Sequence, residues 1–504
     1  MDKPNASYGY WLLIAIFVIA TCGLVYELVA GALASYLLGD SVRQFSFIIG
    51  VYLFSMGIGA YLAKFIHHKL LEKFILIEIW IGVIGGLSAT LLFVLFNYVL
   101  YFEPLLYTIV FSIGCLVGLE IPLLMQLMQD ELQFKDLVSN VFAVDYIGAL
   151  VASVLFPLVL VPYLGLMRTS LFFGMLNIAI AWVLAVALRQ RVSMAIRLQV
   201  KAILVFLLLL TTFIFANDIL AWSEKNLYDE TILLSKTTPY QRIVLTHQKN
   251  NCKLYLNNNL QFASADEYRY HEALVHPVLS LAECVDQVLV LGGGDGLALR
   301  EILKYPDVQQ ITLVDLDREM TEICSNNHLL TQFNQNAFQN PKVKVINQDA
   351  FVWLQHNDSQ FDVAIVDFPD PSNYSVGKLY TQRFYQSLQK VLSPQAMVSV
   401  QTTSPFVAPK SFWCIQKTLA SVFAEAQAYH IYVPSFGEWG FSLATQQDFS
   451  PSNVPFRTVS PLRFYDFRFN KLCDFPSDMR AKDIAINRLD NQILVRYFDE
   501  EWNK

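Results

Sequence analysis

The sequence predicts a multi-span α-helical membrane bundle, followed by a small β region and a doubly wound α/β domain. Three observations carry this. Hydrophobic residues make up 54% of the 504, and the mean hydropathy of +0.39 is too high for a wholly soluble chain. The long apolar runs all fall before residue 217. From Val285 onward, short β-rich runs alternate with helical ones, the pattern of a parallel sheet wrapped by helices.

Apolar runs at 11–38, 44–66, 74–100, 104–128, 139–164, 169–188 and 200–216 are each long enough for about 30 Å of hydrocarbon. They give domain 1–216 about seven helices. The first run lacks a strongly basic leader and a small-residue cleavage site and is followed by further spans, so it is expected to stay in the mature protein. Gly50, Gly57, Gly59, Gly82, Gly85 and Gly86 are expected to let helix backbones approach closely. Glu27, Glu120 and Asp145 are expensive in lipid and should face the bundle interior or water.

Residues 217–284 read as a small β-hairpin region, with short segments Arg242 to Thr246 and Lys253 to Leu256 and a turn at Asn257 to Asn259. Residues 285–504 read as a nucleoside-binding α/β domain with a C-terminal extension. Its strands are expected at Gln287 to Leu291, Ile311 to Val314, Val343 to Ile346 and Val363 to Val366, with helices at Leu297 to Lys304 and Glu319 to His328 between them.

Before residue 217 the chain carries 11 Lys and Arg against 11 Asp and Glu, and after it 25 against 32. The whole net charge of −7 therefore lies in the C-terminal part. Acidity there argues against nucleic acid and for small cationic ligands. The seven cysteines lack metal-ligand spacing and read as free thiols of a reducing compartment.

The strand ending at Leu291 runs into Gly292-Gly293-Gly294-Asp295-Gly296, a turn that lets a ligand approach the backbone at the strand's carboxyl end. The dinucleotide pattern fails, because its sixth position is Leu297 or Leu299. A nucleoside suits the turn better than a pyrophosphate. Asp315, with Asp317 as the alternative, ends the second strand where a carboxylate would accept from ribose hydroxyls. Asp349 follows the third strand, suited to an adenine amino group. The bland reading of any one such acid is a helix N-cap. Asp367-Phe368-Pro369-Asp370-Pro371 follows the fourth strand, and two carboxylates in a proline-stiffened loop suit a cationic amine. An alkylammonium becomes a nucleophile only on losing a proton, which a carboxylate can take.

In this order the four motifs resemble those of spermidine synthases, and Asp266 to Glu272 is similar to the stretch that precedes the nucleotide fold in that family. The resemblance covers roughly 236–445. It implies a class I methyltransferase-like Rossmann sheet and an aminopropyltransferase that uses decarboxylated S-adenosylmethionine as co-substrate, without a cofactor, to convert a polyamine such as putrescine into spermidine, releasing methylthioadenosine. It makes Asp367 the general base, and Asp370 a ligand of a substrate amine. Asp295 would hold the aminopropyl amine, Asp315 the ribose, and Asp349 with Ala350 the adenine. Gln241, His271 and Gln401 would line the pocket, with Tyr270 and Tyr380 flanking the polyamine. The sequence departs from the soluble members at Phe368 and Pro369, where small polar residues are usual, and no polyamine-contacting tyrosine stands out in Pro434 to Gly440. The N-terminal bundle resembles that of membrane-attached members.

Two other readings stand beside this one: an S-adenosylmethionine-dependent methyltransferase, and a polyamine transporter or sensor with a regulatory nucleotide-like domain. Alternating loops place Lys3, Lys64, Lys69, Lys73, Lys135, Arg189, Arg191, Arg197 and Lys201 on one side and Arg43 and Arg168 on the other, so the first side is cytoplasmic by the positive-inside rule. Seven spans then put the catalytic domain outside, away from a cytosolic donor. Either one run is re-entrant or interfacial, or the enzyme works on the outer face. The expectation is a multi-pass protein of the cell (inner) membrane, in contact with lipid, whose catalytic domain faces the cytoplasm; homo-oligomerisation is left open.

Overall fold

The computed structural model describes residues 6–38, 41–96, 98–99, 101–128, 134–228, 230–480 and 483–502. Two compact units divide it, Met1–Glu230 and Thr231–Lys504.

The first unit is helical: α1 Ala6–Leu38, α2 Ser41–Ala63, α3 Leu70–Leu95, α4 Phe102–Met128, α5 Phe134–Leu155, α6 Val161–Ala187, α7 Ala195–Ile214 and α8 Ala216–Leu227. Helix α8 stands where the β region was expected to open. Six described stretches are long and apolar enough to cross a membrane, with Val138–Ala187 counted as one. That stretch breaks at Gly165, whose φ of 71° is left-handed. The Thr169 hydroxyl donates to the Leu160 carbonyl at 3.3 Å across the break, over a separation that a straight helix would stretch to about 13 Å. The chain therefore turns sharply, and the stretch is two legs, as the runs 139–164 and 169–188 anticipate.

Close packing decides the glycines. A Cβ at Gly59 would strike the Cys115 carbonyl, and one at Gly118 the Met56 carbonyl, so α2 and α4 touch backbone to backbone. Gly82 and Gly86 of α3 meet Gly174 of α6 in the same way, and Gly85 lies under the Tyr26 ring. Gly50 and Gly57 have nothing within 4 Å, so the packing role expected of them fails. The Ser193 N–H donates to Glu72 at 2.6 Å, which sets the loops carrying Lys64 to Lys73 and Arg189 to Lys201 at one end of α3. At its other end the Ser223 hydroxyl donates to the Phe93 carbonyl at 2.8 Å, and there the chain leaves the bundle. Lys3 lies outside the described residues, as does the side chain of Lys135.

The second unit opens with an antiparallel meander, β1 Thr231–Thr237, β2 Arg242–Gln248, β3 Asn251–Leu256 and β4 Asn259–Ala263, and then helix α9, Glu267–Leu281. The main sheet has seven strands: β5 Gln287–Gly292, β6 Gln310–Asp315, β7 Val343–Asn347, β8 Phe361–Asp367, β9 Leu392–Gln401, β10 Glu425–Val433 and β11 Gly437–Thr445. They lie in the order β10-β11-β9-β8-β5-β6-β7, with β9-β8-β5-β6-β7 parallel and β10 and β11 antiparallel at the edge. All four expected strands are present. Strands β5, β6, β8 and β9 are almost wholly buried along their valine, leucine and isoleucine runs, because helices cover both faces, whereas the edge strand β7 is half-exposed. The order reverses beside β5, whose neighbours are β6 and β8, and such a switch point opens a crevice at the carboxyl ends of the strands. Gly292 stands in register with Asp367 across that crevice.

Candidate active site

The glycine turn and the Asp367 loop form one structure at the switch point. Gly292, Gly293 and Gly296 have φ of 78°, 68° and 79°, which side chains with a Cβ rarely adopt. The Gly293 N–H donates to the Asp367 carbonyl at 3.1 Å. A Cβ on Gly294 would lie 2.6 Å from an Asp315 carboxyl oxygen, so the missing side chain is what lets Asp315 face the turn.

Asp367 meets its neighbours through α9. The Tyr270 hydroxyl donates to its Oδ1 at 2.6 Å. Burial and the nearby Asp295 push the Asp367 carboxyl up to about 6, while His271 and the Tyr270 hydrogen bond pull it down. Burial pushes Asp370 up to about 7 against the opposing pull of the nearby Thr403 and Gln401 side chains, and one of its oxygens, Oδ1, has no partner. Asp315 is likewise raised to about 7 by burial, although the Asp317 N–H donates to it at 2.8 Å. Asp295 is raised too, mainly by burial, and its Oδ1 accepts from the Leu297 N–H at 2.9 Å. These are acids crowded together with too little positive charge, a cleft that favours cations.

One cation is built in. Burial alone would lower the His271 pKa, but the Glu267 carboxylate 2.9 Å from its Nδ1 outweighs that and raises it to about 9. Glu267 in turn accepts two hydrogen bonds from Arg300, at 2.9 and 3.0 Å. Arg300 also donates to Glu301 at 2.8 Å. His271 is thus a fixed positive charge behind Asp295 and Asp367.

The expected site residues divide into four groups. Asp295, Asp315, Asp367, Asp370, Tyr270 and His271 come together around the glycine turn. Asp349 and Ala350 open the helix Ala350–His356, where Asp349 is the N-cap, accepting from the Phe351 N–H at 2.8 Å, and pairs with Lys378 at 2.6 Å. Gln241 donates to Asp317 at 2.9 Å, and Asp317, the alternative ribose ligand, also takes the Thr238 hydroxyl and caps the helix Arg318–Asn326. Asp315 is the one that faces the turn.

Tyr380 and Gln401 act from behind the loop. Tyr380 is fully buried, and its hydroxyl lies 3.1 Å from both the Phe368 and Pro369 carbonyls. Gln401 donates to the Phe368 carbonyl at 2.6 Å and to the Tyr380 hydroxyl at 2.7 Å. The Tyr380 hydroxyl thus supports the backbone of the Asp367 loop. Phe368 points into the core against Tyr380 and Phe384, so the departure from small polar residues there adds no apolar wall to the cleft.

Sequence reasoning missed Trp439 and Phe436, whose rings lie 5.0 Å apart, with Phe436 6.1 Å from Tyr270. The Trp439 indole N–H is buried without a partner. Both sit on the hairpin that Asp266 ties to α9 by accepting from the Ser435 N–H at 2.7 Å. Thr403 was also missed; it is buried, with a left-handed φ of 66°, beside Asp370.

Residues 267–455 match the family model for the spermine/spermidine synthase domain. A polyamine aminopropyltransferase of Leptospira interrogans is 49% identical over 98% of this chain and 99% of its own length. Polyamine aminopropyltransferase 2 of Ralstonia nicotianae is 49% identical over 100% of this chain and 99% of its own, and the Mycobacterium tuberculosis protein of the same type is 36% identical over 98% and 96%. Among solved structures, a spermidine synthase in complex with the transition-state analogue AdoDATO is 25% identical, covering 49% of this chain and 86% of that one with a TM-score of 0.46. The chain belongs to the polyamine aminopropyltransferase family and is an enzyme of that type.

Proposed function

We propose that the chain transfers the aminopropyl group of decarboxylated S-adenosylmethionine to putrescine, giving spermidine and methylthioadenosine. The observation that carries this is the register of Gly292 with Asp367, which sets a nucleoside turn and a raised carboxyl side by side. Asp315 receives the ribose, Asp295 the aminopropyl amine, and Asp349 with Ala350 the adenine. Asp370, with its unpartnered oxygen, holds the amine of the acceptor. Asp367 takes a proton from the attacking nitrogen, whose lone pair displaces the thioether as the sulfonium charge is neutralised. Alignment of the two reactants supplies most of the acceleration, since the leaving group needs no acid. His271 pulls the Asp295 and Asp367 carboxyls down against the effect of burial. The methyltransferase reading gains nothing from the Asp367 and Asp370 pair at the amine position.

Incubating the purified protein with decarboxylated donor and putrescine, cadaverine or spermidine, with products identified by mass, tests the proposal. Spermidine from putrescine is expected. Methylated amine from the intact donor, with no aminopropyl product, would overturn it. The first unit is proposed to span the cell membrane several times, in contact with lipid, with the catalytic unit on the cytoplasmic side where the nucleoside donor is made. The seven cysteines, all free, support a reducing surrounding for the catalytic unit.

A further inference from the structure

Beyond Asp370 the chain makes a short helix, Tyr374–Gly377, and a single turn, Lys378–Tyr380, before the helix Gln382–Lys390. Two side chains of this segment serve the site. The Lys378 ammonium lies 2.6 Å from Asp349, and the Tyr380 hydroxyl lies 3.1 Å from the Phe368 and Pro369 carbonyls, between Asp367 and Asp370. Where the segment sits therefore decides where the Asp349 carboxylate and the Asp367 loop sit.

What fixes the segment comes from far along the chain. Asn487 is fully buried and lies outside residues 267–455 of the family domain. Its side-chain amide donates to the Gly377 carbonyl and to the Tyr380 carbonyl, both at 3.1 Å, and its backbone carbonyl accepts from the Gln382 N–H at 2.9 Å. Asn487 is itself held: its backbone N–H donates to the Thr418 hydroxyl at 3.0 Å, and its Oδ1 accepts from the Leu494 N–H at 3.3 Å. Leu494 belongs to the helix Ile493–Trp502, and a Cβ on Gly377 would strike Val495 of that helix. Two side-chain donors and one acceptor on a short stem are what this place demands, and an asparagine supplies them. A leucine would leave two buried carbonyls without those donors, and an ionised aspartate would set a further acceptor against them.

We propose that Asn487 is a positioning residue for aminopropyl transfer, which fixes Lys378 against Asp349 and the Tyr380 hydroxyl against the Asp367 loop by holding the Gly377 and Tyr380 carbonyls. The assignment rests on the function proposed above. Asn487→Asp in the purified full-length protein tests it, through turnover at saturating decarboxylated donor and putrescine and through the donor's Kd by calorimetry. Turnover is expected to fall at least about tenfold and the Kd to rise several-fold. Glu501→Ala is the control: Glu501 ties the same C-terminal helix to the Ser411 N–H at 3.1 Å, so its loss should lower the melting temperature and leave both quantities unchanged. Gly377→Ala, which pushes the segment off Val495 and leaves Asn487 in place, should reproduce the losses of Asn487→Asp, and it decides if that variant does not fold. Wild-type turnover or a wild-type Kd in the deciding variant would overturn the proposal. So would equal losses in Glu501→Ala, which would make Asn487 an ordinary tie of the C-terminal helix. A wild type that transfers no aminopropyl group would instead bring down the function itself, and this assignment with it.

Discussion

Asp367 carries two opposed influences that a single substitution can separate. Burial and Asp295 raise its pKa, and the 2.6 Å hydrogen bond from Tyr270 lowers it. The base works only when deprotonated, so turnover at saturating amine should climb with pH through a midpoint near 6. Tyr270→Phe removes a donor that favours the charged form, so the midpoint must move to higher pH. A pH profile of turnover reads this directly; a midpoint that stays or moves down contradicts the assignment. The acids at strand ends were legible because each follows an apolar run at a fixed place in a βα repeat. Tyr380 and Gln401 were legible as pocket residues but not as loop supports, since which side of a loop a side chain occupies depends on packing. Trp439 was hidden because its strand joins the sheet by antiparallel pairing near the edge, and Thr403 because it lies in the loop after β9.

At the scale of elements, the glycine turn determines how near a nucleoside comes to the carboxylates. Gly294→Ala places a Cβ 2.6 Å from the Asp315 carboxyl, which must shift. The KM for the decarboxylated donor should rise at least about tenfold, a loss of roughly 1.4 kcal/mol in binding, with putrescine handling little changed. Equal KM values in steady-state kinetics would show that Asp315 does not bind the donor. The parallel strands could be read from alternating β-rich and helical runs, and the four expected ones are β5 to β8. The edge pair β10 and β11 went unread inside an expected C-terminal extension. Helix α8 displaced the expected start of the β region, because the polar stretch after Ile214 carries enough helix formers to continue as a helix. The buried set Glu267, Arg300 and Glu301 left no sequence signal, since its members come from two helices that only folding brings together.

For the whole molecule, the proposed membrane topology and the chemistry pull in different directions. The basic loops gather at one end of α3 and the chain leaves the bundle from the other, so the positive-inside rule places the catalytic unit outside, whereas donor supply places it inside. Val454, 82% exposed in the catalytic unit, offers a reporter. In intact cells Val454→Cys should resist a membrane-impermeant maleimide and react after permeabilisation, relative to the wild type; labelling of intact cells would put the enzyme on the outer face. The seven-run pattern and the loop charges together point to the outer face, whereas the origin of the donor points inward. The central claim, that Asp367 readies a neutral amine beside a bound sulfonium, is tested most directly by measuring Asp367→Asn turnover together with donor affinity in the same preparation. Turnover should fall at least about a hundredfold while the donor's Kd changes little. Turnover close to wild type would contradict the account.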